Sequence, residues 1–318
     1  MASYSESTFD SQHYDDSRPN YPESFYRELV KYHDGQEKKE DSSRRDNAVD
    51  VGCGSGFVTF KLLDYFKHVQ GTDPSSTMIK QCKESKQFAA VNEQSGTSDS
   101  KKRLDFLIGT GENFPESIEN DSVDLVTAAE AAHWFDHPAF FKEVHRVLKP
   151  SGTLSYWFYK DPVFIGYPRA NEIYTNYTYN SSLELNPKDE FERYMGPYYQ
   201  QPGHDYLRTL LKEIEVPTDL FYDMERHEYI SSRDGVPQDY SKPGPPATAL
   251  FIHKRITLKW FLNYVKSWSA YHSWMKDHGN KYNIAEKFVD ELKQELGWTD
   301  DTELDVVWDT VYTFARKR

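Results

Sequence analysis

Eleven residues constrain this chain more than any other stretch: Asn47 to Phe57 reads Asn-Ala-Val-Asp-Val-Gly-Cys-Gly-Ser-Gly-Phe. Small and β-branched residues (Ala48, Val49, Val51) end in glycines at every second position, Gly52, Gly54 and Gly56, and a helical pattern follows. This predicts a strand, a tight turn and a helix start. Side chains at the glycines would block the turn or hold a ligand off the backbone, and a helix start offers N–H groups with no partner inside the helix. A nucleotide-like ligand suits such a turn.

Spacing and charge narrow the ligand. A dinucleotide fingerprint places its third glycine three residues after the second, where this chain has Phe57. Asp50 lies inside the strand, where a carboxylate suits an ammonium group and would repel a pyrophosphate. A ligand carrying both a cation and an adenosine fits, and S-adenosylmethionine has both. Roughly 20 residues on, Val69-Gln70-Gly71-Thr72-Asp73 ends a second strand in an acid placed to accept ribose hydroxyls. A nicotinamide-dependent oxidoreductase is the competing class, separated by titration with both cofactors.

The stretch resembles the glycine-rich motif of class I S-adenosylmethionine-dependent methyltransferases. The rest of the pattern alternates strand and helix, which predicts an α/β, Rossmann-like parallel sheet with helices on both faces. Strands are expected at Leu104 to Ile108, Val123 to Ala128, Gly152 to Phe158, Leu220 to Ile230, and in the alternation Leu304 to Phe314. Helices are expected at Glu23 to His33, Val58 to Phe66, Ser75 to Ala89, Pro138 to Leu148, Asp205 to Ile214, Thr257 to Trp274 and Ile284 to Leu296. The resemblance implies seven strands with the last antiparallel, and a helical cap from C-terminal insertions. Residues 1–46 are read as an arm and helix over the cofactor and 47–318 as the methyltransferase domain, with cap segments at about 160–203 and 246–300. Val91 to Lys102 and Ser231 to Pro246 read as polar loops.

The formal net charge of -13 argues against a protein that wraps nucleic acid, which needs a basic face. Two cysteines, Cys53 and Cys82, make no disulfide framework and have no metal-ligand spacing. No apolar run approaches a membrane span and Met1 to Asp16 is polar, so the expectation is a soluble, cytoplasmic, metal-free protein. Asn120, Asn176 and Asn180 then match the glycosylation pattern by chance.

Ligands of open α/β sheets bind beyond the carboxyl ends of the strands, so Glu130-Ala131-Ala132-His133-Trp134-Phe135 faces the glycine turn. His133 and Trp134 are the candidate catalytic residues, a group that exchanges protons near neutrality and an aromatic face for a sulfonium methyl. A buried packing histidine is the alternative. The run Glu130 to Asp136, the stretches Asp161 to Phe164 and Gly196 to Gly203, and Trp268 to Trp274 together resemble the fungal trans-aconitate 3-methyltransferases.

That resemblance implies methyl transfer to a carboxylate of a small di- or tricarboxylic acid. The cofactor-binding set is then Tyr14, Arg18, Asp50, Gly52, Gly54, Gly56, Asp73, Met78, Gly111, Glu112 and Glu130, with Tyr21 beside Tyr14 and Arg18 in the arm. Tyr198, Arg208, Trp268, Tyr271 and His272 are the candidate substrate contacts. Because an acid entering so acidic a chain needs local cations, Arg18, Arg208 and His272 are expected to converge over the crevice. Arg18 has an alternative partner in the cofactor's own carboxylate. A related dicarboxylate, a carbon acceptor and a non-catalytic cofactor-binding regulator are the other readings, tested by incubation with labelled cofactor and a metabolite panel.

Overall fold

The computed structural model describes residues 18–35, 44–93, 103–179, 195–237 and 248–318. Strand β1 (Asn47–Val51) is central, paired in parallel with β2 (His68–Asp73) on one side and β4 (Val123–Ala129) on the other. A strand covered at both edges and on both faces is apolar throughout, which accounts for the buried Ala48, Val49 and Val51 and leaves Asp50 as the exception. β3 (Arg103–Ile108) extends the sheet beyond β2 and β5 (Leu148–Phe164) beyond β4, all in parallel.

Antiparallel to β5 runs β8 (Glu303–Lys317), whose far edge carries β6 (Phe221–Tyr229) and β7 (Ile252–Thr257) end to end. The order β3-β2-β1-β4-β5-β8-β6 is the expected seven-strand sheet with its last strand antiparallel, and β7, beside β6 on β8, is an eighth strand beyond those expected. The added strand hides in Ile-His-Lys-Arg-Ile-Thr because Lys254 sits in phase with the buried Ile252 and Ile256, its ammonium 4.4 Å from the Trp260 ring centroid.

Alternation along β5 fills two cores. Trp157 joins Phe25, Leu62 and Phe314 on one face, whereas Tyr156 and Phe158 join Val126, Phe140 and Phe221 on the other. Helix α1 (Glu23–Asp34) reaches the first core through Phe25, whose ring lies 4.8 Å from that of Trp157. Helix α2 (Phe57–Leu62) follows the glycine turn.

The expected helix Ser75 to Ala89 is two, α3 (Ser76–Glu84) and α4 (Lys86–Glu93). Ser85 divides them, its Oγ donating to the Cys82 carbonyl (2.8 Å) and accepting from the Phe88 amide (3.1 Å), which caps α4. Helix α5 (His137–Val147) leads into β5, and α6 (Pro168–Thr178) follows it. Helix α7 (Gly203–Arg208) is shorter than expected because Leu210 and Leu211 take φ of 52° and 59° while burying their side chains. Of the expected loop Ser231 to Pro246, the first four residues form one helical turn, α8 (Ser231–Asp234), and residues 238–246 lie outside the described residues.

Thr257 to Trp274 also divides, into α9 (Leu258–Lys266) and α10 (Ser269–His278). The Ser267 hydroxyl donates to the Tyr264 carbonyl at 2.6 Å, and Trp268 turns extended. Tyr177 of α6 stacks at 4.4 Å on Phe288 of α11 (Ile284–Leu296), so these two helices pack together. Among the described residues no helix is long and apolar enough to cross a membrane.

Candidate functional site

The turn after β1 is held from β2. The amides of Gly52 and Cys53 donate to the Thr72 carbonyl at 2.8 and 3.0 Å, and the Gly54 amide donates to Asp73 Oδ2 at 3.0 Å. Gly52, Gly54 and Gly56 have φ of 69°, 52° and 85°, which glycine alone adopts without cost. A Cβ on Gly52 would lie 2.6 Å from that of Ala131, whereas one on Gly54 would meet nothing within 4 Å.

That open face belongs to a cavity of about 520 Å³. Asp50, Gly52, Gly54, Asp73 and Met78 line it together with Arg18, Tyr21, Glu130 and Trp134. Asp50 is buried, and its oxygens accept from the Thr59 and Thr127 hydroxyls at 2.7 and 2.8 Å. Desolvation outweighs those bonds and pushes its carboxyl up to about 6. Burial also raises Asp73, against the amides of Ser75 and Gly54.

A second cavity of about 120 Å³ shares Arg18, Glu130, Trp134, Tyr159 and Gln200 with the first. Its remaining wall includes His133, Lys160, Asp161, Tyr199, His204 and Trp268. Glu130, with φ of 51°, stands at the junction, and its Oε1 accepts from the Tyr159 amide at 2.6 Å. Desolvation raises its carboxyl well above the ordinary range. His133 is packed between Trp134 and Phe158 (4.6 and 5.4 Å), and its Nδ1 has no hydrogen-bond partner among the described residues. Burial pushes it down to about 3, and His204, stacked on Tyr199 at 4.0 Å, to about 4. Both are neutral imidazoles at neutral pH and poor bases.

Of the residues selected from the sequence, Arg18, Asp50, Gly52, Gly54, Asp73, Met78, Glu130, Trp134 and, in the smaller cavity, His133 and Trp268 line these two chambers. Tyr14 lies outside the described residues. Gly56 starts α2 with its open side against Phe106. Gly111 packs on the Phe135 ring, and Glu112 accepts from the Asp136 amide at 2.9 Å, so neither lines the cavities. Tyr198 pairs with His278 Nε2 (2.5 Å) and Tyr271 accepts from Asn283 (3.2 Å), away from the chambers. His272 is exposed, and Arg208, also exposed, lies over the Tyr179 ring at 4.8 Å.

The expected convergence of Arg18, Arg208 and His272 is therefore not formed. Of the three, Arg18 alone lines the chambers among the described residues, and the cation that joins it is Lys160. The sequence expectations do not include Lys160, Tyr199 or His204, although Tyr199 lies within Gly196 to Gly203 and His204 directly follows that stretch.

The profile of a family described as a methyltransferase domain matches residues 49–156. The probable S-adenosylmethionine-dependent methyltransferase CRG1 of Saccharomyces cerevisiae is 33% identical to this chain over 321 residues, covering 99% of this chain and 98% of that protein. Methyltransferase ptaI of Pestalotiopsis fici is 24% identical over 89% of this chain and 86% of its own length. Among solved structures, a candidate type II methyltransferase from Anaeromyxobacter dehalogenans aligns with a TM-score of 0.59 at 21% identity, over 94% of this chain and 97% of that one. That likeness shows the fold.

Proposed function

The chain belongs to the S-adenosylmethionine-dependent methyltransferases, and from that premise we propose that its acceptor is a carboxylate oxygen of a small di- or tricarboxylic acid such as trans-aconitate, released as the methyl ester. S-adenosylmethionine, the cofactor, supplies an electrophilic methyl group on a sulfonium. The larger chamber fits it: Gly54 leaves a face that a Cβ would fill, Asp50 offers a buried carboxylate to an ammonium, and Asp73 retains acceptor capacity for hydroxyls.

The observation that carries the carboxylate reading is the packing of the two imidazoles of the smaller chamber, His133 buried between Trp134 and Phe158 and His204 buried against Tyr199, a burial that pushes both well below the ordinary histidine range. Neither takes a proton from a hydroxyl or carbon acid usefully. An acceptor with a pKa of about 4 needs no such help, because it arrives ionised. What the chain supplies is placement. Arg18 brings a positive charge to the junction between the chambers, neutral His133 offers an N–H to an oxygen, and the buried rings of Phe158 and Tyr159 give the acceptor an apolar wall. The volume of about 120 Å³ favours a small molecule.

Incubation with methyl-labelled cofactor and a panel of acids is expected to give a base-labile product. A product that survives alkali would replace this reading with methylation of a carbon or hydroxyl. Asp161 favours that second reading, since burial pushes it up to about 6, where a carboxylate begins to serve as a base.

A further inference from the structure

The pairing of β5 with β8 slips by one residue between Tyr159 and Pro162: Tyr159 faces Thr310 and Pro162 faces Trp308, so two residues, Lys160 and Asp161, oppose one. Such a bulge breaks the alternation of a strand and re-aims its side chains. Here it turns four consecutive residues, Phe158 to Asp161, onto the wall of the smaller chamber.

Lys160 is thereby set in a half-buried wall with no ion pair among the described residues, its Nζ 5.4 Å from the Tyr179 ring centroid. Its acidic neighbour does not neutralise it at contact distance. Asp161 accepts from the Tyr174 hydroxyl (2.7 Å) through one oxygen and from the Tyr179 hydroxyl through the other. An ammonium in a half-buried wall is better partnered by an anion than by a ring face. Lys160 lines only the smaller chamber, whereas Arg18 lines both, so Arg18 stands where the two chambers meet and Lys160 belongs to the acceptor chamber.

We propose that Lys160 binds the non-reacting carboxylate of the acceptor, so that the smaller chamber selects acids carrying at least two carboxylates over monoacids. This rests on the carboxylate reading above. Lys160 acts as a specificity determinant and takes no part in bond making, so its removal acts on KM rather than kcat.

The test compares Lys160→Met and Lys160→Arg with the unmodified protein, using trans-aconitate and the monoacid crotonate. Each acid is titrated calorimetrically into protein saturated with S-adenosylhomocysteine, and KM and kcat are measured separately. Lys160→Met is expected to raise Kd and KM for trans-aconitate at least tenfold, with crotonate changed less than twofold and S-adenosylhomocysteine affinity unchanged. Lys160→Arg is expected to recover most of the loss. Equal shifts for both acids, or no shift for trans-aconitate, would overturn the proposal. Binding that depends on Lys160 without any methyl ester would remove the carboxylate reading and leave the anion site standing. Ester formation with constants unaltered by Lys160→Met would remove the anion site and leave the reading standing.

Discussion

Asp73 holds Gly54: the glycine amide donates to Asp73 Oδ2 at 3.0 Å, so the acid that ends β2 fixes the turn that ends β1. Its other oxygen accepts from the Ser75 amide at 2.8 Å. Each oxygen keeps a lone pair for a ligand hydroxyl. Asp73→Ala is expected to weaken S-adenosylhomocysteine at least tenfold, about 1.4 kcal/mol, and also to lower the melting temperature through the loosened turn. Asp73→Asn keeps one acceptor and should regain part of the melting temperature before it regains affinity. Calorimetry with an unchanged Kd in Asp73→Ala would remove this residue from the cofactor site.

Asp50 makes cofactor affinity depend on pH. Its carboxyl is pushed up to about 6 by burial, so at pH 5 it is mostly protonated and offers no charge to an ammonium. The affinity for S-adenosylhomocysteine should therefore rise with pH, by about tenfold between pH 5 and 7 for one coupled proton. Without ligand the sign reverses: the folded protein holds a proton that the unfolded chain releases near pH 4, so this group lowers stability as pH rises from about 4 to about 6. Titrations across that range with Asp50→Asn should lose most of the slope, leaving the part due to Asp73, also raised by burial. An equal slope in both proteins would rule Asp50 out as the source.

The cofactor half of the site was legible because its signals are local. Glycine spacing and an acid within a strand fix a backbone shape whatever the rest of the chain does. The acceptor half is assembled from side chains whose direction depends on phase. Arg208 and His272 lie on helices flanking the chamber but on their exposed faces, and no motif reports which side a short helix turns inward. Lys160 was hidden differently, since β5 continues six residues past the expected end at Phe158 and its bulge defeats the two-residue alternation that would assign a face. The divided helices at Ser85 and Ser267 escaped notice because apolar periodicity runs across each break, and only the serine hydroxyls bound to the preceding turn mark it.

His33 predicts acid sensitivity of the fold itself. It is 1% exposed, and because the Arg44 carbonyl only accepts, its Nε2 carries the proton at 2.7 Å while Nδ1 accepts from the Thr153 hydroxyl at 2.9 Å. Burial depresses it from 6.5 to about 4. The stability this neutral ring contributes is present above about 6.5 and is lost as the pH falls toward 4, because the unfolded chain takes up a proton that the folded one refuses. Between pH 7 and 5 the loss is about 2 kcal/mol from this group, and His133 and His204 act in the same direction. Urea unfolding at the two pH values should show it, and His33→Gln should flatten the dependence even where it is less stable at pH 7. A variant as steep as the unmodified protein would locate the effect elsewhere.

Gly52 and Gly54 share a left-handed backbone but face different surroundings, which separates folding from binding. Alanine at either position pays the left-handed penalty of about 1 kcal/mol. Gly52→Ala adds a contact of 2.6 Å with the Ala131 side chain, so β1 and the segment after β4 must move apart, and a further loss of roughly 1 to 3 kcal/mol follows from overpacking. Gly54→Ala meets no protein atom within 4 Å, at a residue that lines the cofactor chamber. The expectation is a crossed pattern: Gly52→Ala melts lower but keeps affinity in the fraction that is folded, whereas Gly54→Ala melts near the unmodified protein and loses S-adenosylhomocysteine affinity at least tenfold. Thermal melts with and without ligand read both effects in one series, because a ligand that no longer binds no longer raises the melting temperature. If Gly54→Ala still showed the full ligand-induced rise, the open face of the turn would not be where the cofactor lies.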